Sequence, residues 1–317
     1  MADSLSLFEL PRAFVKPALE FCRTFNSTLD VAFYDVPTLV AELSERGEAV
    51  EGQGSGSKGA AVIDLEALAN PEGALLVVDA ARAPFVQRFD DVQPFLDWHA
   101  GAAVKPTTVS ITGVGSSALG SAALAWDISK ALDAPVLAIV PGYGVADALL
   151  QGLGGWFGFG LHDALQTKSR LQDTLAFMAP DLAGVGRHLV GSLPDAKRIN
   201  GAPVFRTGCG SSDVLHALMG KIAITCVVGH SKGALAIANA LNGLKAAQTA
   251  GLRIVTLGCP VPETVVGATY HQCLGLFDAL GQANAWGNTP DQWTPTDHST
   301  NTSLPLSMDA EALMTSG

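Results

Sequence analysis

Ile222-Ala-Ile-Thr-Cys-Val-Val-Gly-His-Ser-Lys-Gly-Ala-Leu-Ala-Ile-Ala-Asn-Ala-Leu241 is the stretch that decides the fold class. Its apolar, β-branched half, residues 222–228, predicts a buried strand, and its alanine- and leucine-rich half, residues 234–241, predicts a helix. Between them stands Gly229-His230-Ser231-Lys232-Gly233, so the chain must turn sharply from strand to helix. A Gly-x-Ser-x-Gly spacing in that setting is the pattern of a nucleophile elbow: the serine occupies a strained turn, and the glycines let neighbouring backbone approach without a Cβ clash. The hydroxyl of Ser231 then projects beyond the sheet edge. The backbone N–H of Lys232 points into the same space at a helix N-terminus, where negative charge is favoured. The plainer alternative is a tight strand-to-helix turn with no chemistry.

Further strands are expected on either side of this stretch. Residues 74–79, 107–112, 134–140, 252–257 and 271–277 are short and rich in Val, Leu and Ile. Residues 118–132 have helical composition between the second and third of these, giving a β-α-β order, and residues 39–46 predict a helix nearer the N-terminus. Strands alternating with helices predict an α/β fold with a mostly parallel central sheet and helices on both faces, in a single domain over 1–317. Residues 51–59, rich in Gly and Ser, read as a loop. Residues 145–213 change texture to glycine-interrupted amphipathic helix and read as an inserted helical cap.

Composition narrows the function classes. Only 15% of residues are charged and 48% are hydrophobic, and mean hydropathy is +0.29. This balance fits an extensive core, an apolar cleft or the buried interface of a homo-oligomer. A net charge of −11, with no Lys/Arg cluster among aromatics, argues against nucleic acid as a partner. No signal-peptide pattern and no uninterrupted apolar window long enough for a membrane span is present, which points to a cytoplasmic protein without a transmembrane segment. The five cysteines lack CxxC spacing, and the seven histidines lack HxH or HExxH spacing, so neither a disulfide framework nor a metal site is expected. Cys226 and Cys259 read as small buried hydrophobes. No cofactor is called for.

With a strand, loop and helix at 107–132, a strand at 136–140 and the elbow at 222–241, the chain resembles α/β-hydrolases of the esterase and lipase kind. Gly-His-Ser-x-Gly followed by Ala-Leu-Ala, with Val255-Thr-Leu-Gly-Cys-Pro260 after it, also resembles class-3-type lipases locally. Those lipases usually carry Leu-Gly-Gly where Lys232-Gly233-Ala234 stand. The family's loop after the third strand usually reads His-Gly-x-Gly, and here it reads Thr112-Gly113-Val114-Gly115, with threonine in place of histidine. The resemblance implies that the backbone N–H groups of Val114 and Lys232 form the oxyanion hole.

It also implies the chain order Ser, Asp or Glu, His, which confines acid and base to residues after Ser231. His230 lies inside the elbow, leaving His271 and His298 as bases; His298, in the polar stretch 296–301, is preferred over His271 at the start of a predicted strand. Asp278 directly follows that strand and is the preferred acid, with Asp291, Asp297 and Glu263 as competitors. Trp156, Phe157 and Phe159 in the cap, and Trp286 and Trp293 between acid and base, are candidates for the substrate cleft, with core packing as the alternative for each.

The expected activity is therefore hydrolysis of an apolar, small-molecule or lipid-like carboxylic ester through an acyl-enzyme. A polyester depolymerase of the polyhydroxyalkanoate type, or a thioesterase, would use the same groups. From another class, Gly113-Val-Gly-Ser-Ser-Ala118 after a strand fits a dinucleotide phosphate loop, although no acidic residue closes the next strand. A non-catalytic α/β binding protein would need the triad broken.

Overall fold

The predicted apolar runs do form strands, and they join in one sheet. A computed structural model describes residues 29–51, 74–89, 92–113, 116–141, 198–199, 202–203, 210–241, 244–285 and 287–315. In chain order the elements are α1 (Val36–Glu51), β1 (Leu75–Val78), β2 (Val86–Phe89), α2 (Val92–Gly101), β3 (Thr108–Ile111), α3 (Ala118–Leu132) and β4 (Val136–Ile139). Then follow β5 (Arg198–Ile199), β6 (Ala202–Pro203), α4 (Gly210–Leu218), β7 (Cys226–His230), α5 (Lys232–Leu241), α6 (Ala246–Thr249) and β8 (Arg253–Leu257). The last are β9 (Thr269–Gly275), α7 (Ala279–Asn284), β10 (Gln292–Thr294) and α8 (Ala310–Thr315).

The eight-stranded sheet runs β2-β1-β4-β3-β7-β8-β9-β10, and β5 pairs with β6 apart from it. β1 is antiparallel to both neighbours, while every other pairing in the large sheet is parallel. The expected α/β class with a mostly parallel sheet is what the chain adopts. Alternate strand residues feed two cores, as the period of two requires. Leu76, Val78, Ala138, Val228 and Leu257 pack with α1, α3 and α8, whereas Leu75, Val77, Val109, Ile111, Ile139 and Val227 pack with α2, α4 and α5. Helices thus cover both faces, which is why the central strands read as continuous apolar runs.

The order fixes where a site can form. From β3 the chain crosses through α3 to β4 on one side; from β7 it crosses through α5 to β8 on the other. β3 and β7 are nevertheless neighbours, with Ile111 opposite Gly229. Successive connections diverge here, leaving a crevice beyond the carboxyl ends of these two strands, the usual ligand position in open α/β sheets. Ser231 follows β7 and Gly113 lies just beyond β3, so both stand at this crevice.

Several boundaries differ from expectation. β7 begins at Cys226 and runs through His230, because Gly229 and His230 still pair with Thr256 and Leu257 of β8. β9 starts at Thr269, which places His271 within the strand. β2 and β10 were not foreseen: both are edge strands of three or four residues, partly exposed, with no apolar run to mark them. Of the cap expected at 145–213, only β5, β6 and the start of α4 are among the described residues. The Gly/Ser tract after residue 51 lies outside them.

Candidate active site

Ser231 has φ 53°, a left-handed backbone that costs a non-glycine residue about 1–2 kcal/mol. The surroundings hold it there. Its N–H donates to the Leu257 carbonyl at 2.8 Å, and its own carbonyl accepts from Ala234 N–H at 3.0 Å as α5 begins. The glycines are needed for the close approach foreseen: a Cβ on Gly229 would lie 2.6 Å from Ala234 Cα, and one on Gly233 would lie 2.8 Å from the Thr112 oxygen. Ser231 is 9% exposed. Lys232 is the first residue of α5, where backbone N–H groups have no partner within the helix.

His298 and Asp278 arrive from the far side of the sheet. His298 Nδ1 lies 2.8 Å from Asp278 Oδ1 and 2.9 Å from Oδ2. Asp278 is almost fully buried, and its Oδ1 also accepts the Gly281 N–H at 2.6 Å, capping α7. These bonds orient the carboxylate before it meets the imidazole. Gly258, with φ 69°, packs directly against the pair: a side chain there would begin 3.0 Å from Asp278 Oδ2 and 3.1 Å from His298 Nδ1. Since Ser231 N–H bonds to the residue just before Gly258, one peptide of β8 touches the serine turn on one side and the pair on the other. Among the described residues neither Ser231 Oγ nor His298 Nε2 makes a hydrogen bond.

The competing acids and base are engaged elsewhere. Asp297 Oδ1 accepts Ser299 N–H at 2.8 Å in a local turn. Asp291 Oδ2 accepts Gln272 N–H at 2.8 Å, tying the approach to β10 onto β9. Glu263 meets the Gln272 amide at 3.3 Å, and His271 Nε2 lies 3.4 Å from Cys273 Sγ. Trp293 is 49% exposed on edge strand β10, three strand spacings, about 14 Å, from β7. Val114, Trp156, Phe157, Phe159 and Trp286 lie outside the described residues.

Two N-terminal residues complete the surroundings, and neither was singled out from the sequence. Tyr34 Oη accepts the Gly113 N–H at 2.8 Å and lies 2.9 Å from His230 Nδ1. His230 Nε2 lies 2.8 Å from the His298 carbonyl oxygen. Burial, with His298 close by, pushes His230 down to about 3, so its ring is neutral. Burial also raises Tyr34 above its ordinary range, keeping the phenol protonated. Phe33 meets the His298 ring edge-on at 5.7 Å between centroids. The backbone of this segment is bound to the loop after His298: Thr300 N–H donates to the Phe33 carbonyl at 2.8 Å and Asn301 Nδ2 to the Val31 carbonyl at 2.7 Å.

Asp30 is fully buried and occupies the N-terminus of α3, accepting Ser117 N–H at 3.0 Å and the Ser117 hydroxyl. That is the position a dinucleotide pyrophosphate would take, so an internal carboxylate already fills it. Thr112, standing where the resembled family has histidine, bonds the Ser121 hydroxyl at 2.9 Å and so ties the loop to α3. Burial raises the thiols of Cys226 to about 11 and Cys259 to about 12, as small core residues require.

The arrangement defines a coarse class: an α/β protein with a strained serine and a buried His–Asp pair beside it at the switch point of a mostly parallel sheet. No protein-family model matches the chain, and no curated protein matches it in sequence. Among the described residues no helix is long and apolar enough to cross a membrane, and no group of His, Cys, Asp and Glu is placed to hold a metal ion.

Proposed function

We propose that the protein is a serine hydrolase of the α/β-hydrolase kind that cleaves an apolar carboxylic ester through an acyl-enzyme. The observation that carries this reading is the convergence of Ser231, in a left-handed turn, with the His298–Asp278 pair around one peptide of β8. Chain order agrees, since the acid and base follow the nucleophile.

In this mechanism Ser231 Oγ attacks the ester carbonyl carbon while His298 Nε2 takes the hydroxyl proton. Asp278 holds Nδ1–H and balances the charge of the imidazolium. The tetrahedral oxyanion is bound by the backbone N–H of Lys232 and by one from the loop entered at Gly113. Its collapse breaks the bond to the alcohol, which leaves with the proton from His298. Water then repeats the sequence on the acyl-enzyme, releasing the acid and restoring Ser231. The dinucleotide alternative loses ground because Asp30 occupies the helix terminus that a pyrophosphate would need.

The test is hydrolysis of p-nitrophenyl acetate, butyrate and palmitate by the protein and by Ser231→Ala, with intact mass after a fluorophosphonate probe. Turnover and a single adduct, both absent from the variant, are expected. A folded protein with neither would refute the proposal.

A further inference from the structure

We infer that Tyr34 and His230 are positioning residues: a one-way hydrogen-bond chain, Gly113 N–H to Tyr34 to His230 to the His298 carbonyl, locks the loop after β3 and the backbone of the general base in one arrangement. The inference rests on the ester-hydrolase reading above and adds to it residues outside the triad.

The direction of the chain is forced by chemistry. A carbonyl oxygen only accepts, so His230 Nε2 must carry a hydrogen to bond His298. Burial keeps the ring neutral, so Nδ1 is bare and Tyr34 must donate to it. The phenolic oxygen then has lone pairs left for the Gly113 N–H. Each group has one role it can play, and both side chains are buried: Tyr34 is 3% exposed and His230 1%.

The chain's ends are what make it functional rather than decorative. Gly113 itself faces the serine, since a Cβ there would lie 2.9 Å from Ser231 Cβ. His298 supplies the base, and its carbonyl is gripped by the residue immediately before the nucleophile. Tyr34 itself is held by its neighbours, because residues 31–33 are hydrogen-bonded to residues 299–301 beyond His298. Removing the hydroxyl leaves a buried Gly113 N–H without its acceptor and His230 Nδ1 without its donor, so the ring keeps the tautomer that the His298 carbonyl sets but is no longer linked to Gly113.

The experiment pairs Tyr34→Phe kinetics on p-nitrophenyl butyrate with NMR of the full chain carrying 15N-labelled histidine. In the unaltered protein His230 is expected as the neutral Nε2–H tautomer from about pH 5 to 8, while ordinary histidines titrate. Tyr34→Phe is expected to lower kcat about 10- to 100-fold, the scale of a small misplacement of reacting groups, with KM changed less than about twofold. An Nδ1–H tautomer, protonation of His230 in that range, or an unchanged kcat overturns the inference and leaves the ester-hydrolase reading standing. Should Tyr34→Phe fail to fold, the tautomer in the unaltered protein decides alone. An unaltered protein with no turnover and no fluorophosphonate adduct overturns the hydrolase reading instead.

Discussion

Replacing Asp278 with asparagine separates chemistry from packing more cleanly than any other single change at this site. Oδ1 serves both Gly281 N–H, at 2.6 Å, and His298 Nδ1, at 2.8 Å, while Oδ2 faces His298 alone at 2.9 Å. An asparagine keeps its oxygen toward Gly281, since the amide nitrogen there would set donor against donor. The NH2 group therefore faces Nδ1 and favours the ring tautomer with the hydrogen on Nε2. That tautomer cannot accept the serine proton, and the negative charge that would balance an imidazolium is gone in either tautomer. By analogy with serine-protease triads, where this exchange is the worked case, kcat should fall by about 10³- to 10⁴-fold, or roughly 4–5.5 kcal/mol. The α7 cap survives, so melting should change little. Asp278→Ala removes the cap as well and should cost about 1 kcal/mol more in stability, roughly 1.5 °C in a chain of 317 residues. The assay is p-nitrophenyl butyrate turnover beside thermal melting of both variants. Asp278→Asn retaining more than about a tenth of kcat while melting normally would refute the assignment of the acid.

Three further changes test the serine turn and the buried face of α3. Gly233→Ala would place a Cβ 2.8 Å from both the Ile111 carbonyl carbon and the Thr112 oxygen, backbone that cannot move aside; it should destabilise by about 3 kcal/mol or more, or leave the protein insoluble, as chemical denaturation would register. Ser231→Gly, compared with Ser231→Ala, relieves the left-handed strain at φ 53° and should be more stable by about 1 kcal/mol in the same assay, with both inactive. Asp127, on α3, is raised to about 8 by burial and by the neighbouring Asp35, so the folded state holds its proton while the unfolded chain has already lost it above pH 3.8. Stability from this group is full below the unfolded value and is lost as pH rises toward about 8, a cost on the order of 4 kcal/mol at neutral pH. Among the described residues its Oδ2 has no hydrogen-bond partner, so an amide nitrogen there gives back about 1–3 kcal/mol. Asp127→Asn should therefore raise the melting temperature near pH 7–8 and lose that advantage near pH 4. An advantage that does not change with pH would contradict the shift.

Local chemistry carried the serine turn and the parallel sheet, because both are written in contiguous residues. The runs at 75–78, 136–139 and 253–257 are β-branched or leucine-rich and end at turns, and the sharp turn at Ser231 needs glycines within two residues on either side. The His298–Asp278 pair was legible for a different reason: chain order and strand ends left few residues able to reach the serine. Tyr34 and Asp30 had no such signal. Tyr34 meets His230 across 196 positions and Asp30 meets Ser117 across 87, and each is one polar residue in a short stretch that resembles no motif. Yet the sequence contains the demand they answer. Thr112 ties its loop to α3 through the Ser121 hydroxyl but leaves the Gly113 N–H to another acceptor, and a histidine beside the nucleophile must satisfy two ring nitrogens in a buried place. A single phenol facing both the Gly113 N–H and His230 Nδ1 meets both needs, and it comes from outside the sheet. The N-terminal segment supplies it and is itself held by the loop after His298. The same reasoning applies to any elbow with histidine before the serine: a partner for its second nitrogen should be sought among distant polar residues before the site is considered complete.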